Sequence, residues 1–98
     1  MNVTVDHRVK RFLDKLNKKE RAKAFGYIEF FEDYGFTLDQ RYLKKVKNHI
    51  WELRPGRIRL FVFVRSTSQI VIHAFIKKSQ KIKKEDLVVI EQRGKEYL

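Results

Sequence analysis

Residues 50–76 read IWELRPGRIRLFVFVRSTSQIVIHAFI, and this stretch decides the fold. Three runs alternate with period two and are rich in Ile, Val and Phe: 50–54, 58–64 and 69–76. Alternation of this kind is the signature of half-buried strands, because successive side chains point to opposite faces of a sheet. Pro55-Gly56 separates the first two runs and Ser66-Thr67-Ser68 the last two. Connections this short join antiparallel neighbours, so the stretch predicts a three-stranded meander.

Parity then sorts the side chains. Trp51 and Leu53 fall on one face of the first strand and Glu52 and Arg54 on the other. In the second strand Ile58, Leu60, Val62 and Val64 oppose Arg59, Phe61, Phe63 and Arg65. In the third, Ile72, Ala74 and Ile76 oppose His73, Phe75 and Lys77. Each strand thus has an apolar face and a mixed one. The expectation is a single-layer sheet with one open face that gathers Glu52, Arg54, Arg59, His73 and Lys77.

Upstream, Asn2–Val5 alternates and predicts a short first strand. Asp6 is placed to cap a helix whose apolar residues Val9, Phe12, Leu13 and Leu16 recur at helical spacing. Asn17 followed by Glu20 resembles a capping box for a second helix, with Ala24, Ile28 and Phe31 on its inner face and Gly35 as its stop. Residues 36–49 show no clear period. Downstream, Leu87, Ile90 and Tyr97 suggest a closing helix from Lys84, with Glu85 and Asp86 favourably near its N-terminus. The expected architecture is α+β in the order β-α-α-β-β-β-α, an antiparallel sheet packed on an N-terminal helical hairpin and closed by a C-terminal helix.

A chain of 98 residues fits one domain over 1–98 and can bury about 65% of the surface its unfolded form exposes. Apolar residues at 43% against one Pro and four Gly suit a packed interior and argue against disorder. The absence of cysteine excludes disulfides and thiolate metal sites. The first residues carry no signal-peptide core and no apolar run reaches about 18 residues, so a cytoplasmic location without membrane contact is expected.

The net charge of +11 is unevenly placed. Residues 1–40 hold eight Lys/Arg against seven Asp/Glu, whereas residues 41–84 hold thirteen against one acid, Glu52. Confinement of positive charge to one segment points to a polyanion as partner. Within that segment Arg59 also reads as a strand-end arginine paired with Glu52, His73 as a hydrogen-bonded packing residue, and Trp51 as core. His7 and His49 have no companions at metal-ligand spacing, and GxGxxG, GxxxxGK[ST] and GxSxG are all absent. No metal and no cofactor is expected.

Ile50-Trp51-Glu52-Leu53-Arg54, the strand arginine Arg59, and His73-Ala74-Phe75-Ile76-Lys77-Lys78-Ser79-Gln80-Lys81 together resemble the phage-derived Gp49-like (HigB-type) branch of the RelE/ParE toxin superfamily. The order of elements agrees as well, so the resemblance spans most of the chain. It implies the toxin of a type II toxin-antitoxin system, a ribosome-dependent, metal-independent mRNA endonuclease that inhibits translation. It also implies three partners: the ribosome, its mRNA, and an antitoxin, a helix-turn-helix protein encoded alongside. Gyrase inhibition on the same fold and a non-enzymatic, nucleic-acid-binding phage accessory protein are the alternatives.

On the resemblance, Arg59 and Arg54 would hold the scissile phosphate, because a guanidinium fork matches phosphate oxygens. His73 would be the acid or base, with Glu52 as its replacement or as an orienting group. Lys77, Lys78, Lys81, Lys83 and Lys84, with Lys44, Lys45, Lys47 and Arg57, would grip RNA backbone. Two departures stand out. Ile82 and Lys83 occupy the place where many relatives have a proline, and Tyr97 is the sole late tyrosine, a residue type that some relatives use in catalysis.

Overall fold

The computed structural model describes residues 1–98. Strand β1 (Val3–Val5) leads into helices α1 (His7–Asp14) and α2 (Lys18–Tyr34), and a 3-10 turn (Gly35–Thr37) follows. Strands β2 (Leu43–Lys47), β3 (Ile50–Leu53), β4 (Ile58–Val64) and β5 (Gln69–Ile76) precede helix α3 (Lys84–Glu96). The sheet runs β1-β5-β4-β3-β2, antiparallel throughout except that β1 lies parallel to β5.

The helix ends follow local chemistry. Asp6 caps α1, accepting from the Arg8 backbone N–H, and Asn17 caps α2, accepting from the Glu20 backbone N–H at 2.8 Å. Gly35 ends α2 with φ +58, a conformation that a side chain resists. Residues 43–47, where no period was evident, form a strand. Its lysines suit a sheet edge, and Leu43 opposite Leu53 is its one buried anchor.

Two cores flank the sheet. Val9, Leu13, Ala24, Ile28 and Phe31 of the helical hairpin pack on Leu53, Ile58, Leu60, Val62, Val71 and Ala74. On the other face Ile90 of α3 covers Ile50, Phe61, Phe63, Ile70 and Ile72. This second core corrects the expectation of an open face, since α3 lies across it. Ile72 also changes sides. The β4–β5 register shifts at Phe61/Val62, where Phe61 faces His73 but Val62 faces Val71. Ile72 is the extra residue of a bulge, which resets the alternation.

The chain ends are tied together at Asp6, which is 3% exposed. Its Oδ1 accepts from Arg8 Nε at 2.9 Å, and its Oδ2 from Arg8 Nη2 at 2.8 Å and from the Tyr97 hydroxyl at 2.6 Å. Arg8 Nη2 also donates to Glu96 Oε1 at 2.6 Å. Hydrogen bonds from Arg8 hold the Asp6 carboxyl far below the usual carboxylate range. Tyr97, the late tyrosine, is therefore committed to joining α3 to the start of α1.

Replacing Tyr97 by Phe removes one bond to a charged acceptor and should lower the unfolding free energy by about 1.5–3 kcal/mol in urea titrations. Asp6→Asn should cost more and should flatten the acid limb. In the wild type the Asp6 contribution is complete above about pH 4 and is lost as the pH falls towards its depressed native value.

Candidate functional site

The part of the second face that α3 leaves uncovered lies at the start of β4 and the end of β5. Arg59 follows the Pro55-Gly56 turn and sits opposite Phe75, and Glu52 sits opposite Phe61. Beyond β5 the chain turns back over this corner. The Lys77 backbone N–H donates to the Arg57 carbonyl at 2.7 Å, and Ile82 packs against the second core. Glu52, Arg59, Phe75, Lys77, Lys81 and Ile82 consequently line one cleft.

Arg59 forms its floor and is only 8% exposed. Nη1 is fixed by two carbonyls, Gly56 O at 2.7 Å and Ile58 O at 2.8 Å, while Nε and Nη2 make no hydrogen bond within the protein. Burial pushes its guanidinium below the ordinary arginine value, and the Glu52 charge works against that shift. Such a group is a cation held in a cleft with three of its five N–H donors unspent, an arrangement suited to an oxyanion. The expected Arg59–Glu52 ion pair is not formed. Glu52 Oε1 lies 3.3 Å from Arg54 Nε instead, without a well-formed hydrogen bond, and Arg54 Nη1 reaches Gln40 O at 3.4 Å. Arg54 thus borders the cleft through Glu52.

His73 is not brought into this cleft. Its Nε2 lies 2.8 Å from Asp86 Oδ1 and its Nδ1 3.4 Å from Arg93 Nη1, both on α3. A carboxylate only accepts and a guanidinium only donates, so the network assigns the neutral tautomer with its proton on Nε2. Burial lowers the imidazole pKa, the Asp86 hydrogen bond opposes this, and the Arg93 charge adds to it. The hydrogen-bonded packing role is the one this geometry serves.

The basic residues divide. Lys77 and Lys81 line the Arg59 cleft, Lys78 and Lys83 a neighbouring one, and Lys84 begins α3. Lys44 pairs in register with Glu52. Arg57 is bound to Glu20 at 2.6 and 3.0 Å, and Lys47 pairs with Glu91. Lys45 stands 6.0 Å over the Trp51 ring, which packs partly buried against the first core, on the far side of the sheet from the cleft. No group of three or more His, Cys, Asp or Glu side chains converges as a metal site would.

Parity puts Phe75 on this face without marking it as a site residue, and it says nothing of Asp86 and Arg93, which hold His73. A residue on a later helix carries no spacing signal toward a strand partner 13 or 20 positions away. A protein-family model described as phage-derived protein Gp49-like (DUF891) matches residues 11–95, which include the whole cleft and the His73 cluster. No curated protein matches the chain.

The His73 cluster makes stability depend on pH. A histidine whose native pKa lies below its unfolded value of about 6.5 destabilises the fold as the pH drops through and below that value, since the unfolded chain binds the proton more readily. Urea midpoints should therefore fall between pH 7.5 and 5.5. His73→Gln, which keeps a donor for Asp86, should lose less over that interval.

Proposed function

The chain belongs to the phage-derived Gp49-like family, and on that premise we propose that it is the toxin of a type II toxin-antitoxin system, a ribosome-dependent mRNA endonuclease that works without a metal ion. The observation that carries the reading is Arg59, a buried arginine with no carboxylate in ion-pair contact, whose Nε and Nη2 remain unused beside Lys77 and Lys81. A buried cation with no carboxylate in direct contact is costly unless a ligand supplies the charge. A phosphodiester does so.

Cleavage proceeds by attack of the ribose 2′-oxygen on the adjacent phosphorus, with loss of the 5′-oxygen and formation of a 2′,3′-cyclic phosphate. Arg59 stabilises the charge gathering on the phosphoryl oxygens, where preorganised donors act most strongly. Glu52 takes the 2′-hydroxyl proton, and a lysine ammonium of the same cleft, Lys77 or Lys81, returns a proton to the leaving oxygen. Arg54 holds Glu52 in place. Because both ring nitrogens of His73 are engaged by α3, its part is to anchor that helix. The remaining lysines around the cleft bind backbone phosphates of mRNA or ribosomal RNA. The natural antagonist is an antitoxin, a helix-turn-helix protein encoded alongside.

Expression without antitoxin should arrest growth, with messages cut within codons on translating ribosomes. Arg59→Ala should reduce cleavage on the order of 10²–10³-fold, with an unchanged circular dichroism spectrum. Glu52→Gln should reduce cleavage while leaving RNA affinity near that of the wild type. Intact messages in arrested cells, with supercoiling blocked in a gyrase assay, would move the protein to the topoisomerase poisons. Harmless expression would leave a binding module.

A further inference from the structure

Beside the Arg59 cleft lies a larger one, and Phe75 lines both. The Arg59 cleft is small, about 40 Å³, room for little more than phosphoryl oxygens. Its neighbour measures about 280 Å³ and is walled by Phe12, Phe75 and Ile76, with Lys78, Lys83 and Asp86 around it. That is just under the roughly 300 Å³ at which pockets for drug-sized ligands begin, and suits one planar ring system with cations at the edge.

Phe75 is held where such a ring would need it. It stacks on the fully buried Phe61 with centroids 5.4 Å apart and planes at 29°, and its opposite neighbour on β4 is Arg59 itself. Phe61 and Phe63, the other aromatics of this face, are covered by α3, whereas Phe75 stands half-buried at the junction of the two clefts. An aromatic platform next to a phosphate site, with lysines along the rim, is the arrangement that binds unpaired nucleotides by stacking.

We propose that Phe75 is the platform on which the nucleobase flanking the scissile phosphate stacks, the Phe12-walled cleft receiving that base once it leaves its neighbours. The proposal rests on the endonuclease reading for its ligand class, single-stranded RNA. Stacking is tolerant of base identity, so Phe75 contributes affinity and position without choosing a sequence.

The test uses the full chain and a short single-stranded RNA carrying 2-aminopurine, with a 2′-deoxy sugar at the cleavage position so that no reaction occurs. Wild-type protein should quench the probe on binding. Phe75→Leu, which keeps an apolar contact for Phe61, should abolish the quenching and weaken binding by about tenfold or more, while Phe75→Tyr should retain both. Thermal unfolding of each variant checks that the fold survives. Absence of quenching by the wild type, or equal quenching by Phe75→Leu, overturns the proposal. If the wild type cuts messages on ribosomes but does not quench the probe, the endonuclease reading stands and the platform falls. If no message is cut in cells but the wild type quenches in a Phe75-dependent way, the platform stands without that reaction.

Discussion

Between Phe61 and Val62 of β4 the partner strand steps from His73 to Val71, leaving Ile72 as the unpaired residue of a bulge. Most of the second face depends on that extra residue. Ile70 and Ile72 turn toward α3 and give Ile90 a surface to cover, while Ala74 and Ile76 still meet the helical hairpin. Ile72 and His73 consequently share a side, and both meet Arg93 of α3. A strand of strict alternation would send Ile70 and Ile72 to the hairpin side and leave α3 little apolar surface to bury.

Helix α3 is secured at both ends by ionic groups that are satisfied within the protein. At its start Asp86 accepts from His73, and at its finish Glu96 and Tyr97 reach Arg8 and Asp6. Arg93 adds a donation to the Ile72 carbonyl at 2.9 Å, the bulge residue itself. With α3 so fixed, Asp86 at its start borders the larger cleft that Phe12 and Phe75 line. Arg59 differs from these groups because its guanidinium is anchored only to carbonyls. The fold accepts the cost of a buried cation without direct carboxylate contact there, inside a cleft, a combination that makes Arg59 a candidate functional residue.

The excess of positive charge in residues 41–84 does not form one uniform surface. Arg57 and Lys47 are neutralised by Glu20 and Glu91, which come from the near-neutral start of the chain and from the acidic tail. Lys45 is turned to the helical side. The unneutralised lysines nearest Arg59 are those of the segment leaving β5. Acids supplied from distant segments thereby sharpen the positive field around the cleft, and an exposed ion pair of this kind contributes little to stability.

The sequence by itself determined the elements. Alternation set the bounds of β4 and β5 and placed β3 to within a residue, and the caps at Asp6 and Asn17 and the stop at Gly35 lie where side-chain chemistry puts them. Those features depend on residues within a few positions of one another, so a linear reading reaches them. It also singled out Glu52, Arg54, Arg59 and Lys77 for one face. Tertiary structure decided the rest. Strand β2 has too few apolar residues to show a period and forms because β3 offers it an edge. The bulge at Ile72, the removal of His73 to α3, and the choice of Arg54 over Arg59 as the partner of Glu52 follow from how strands register and how a helix crosses them. Such pairings depend on distances between segments far apart in the chain, and local periodicity carries no record of them.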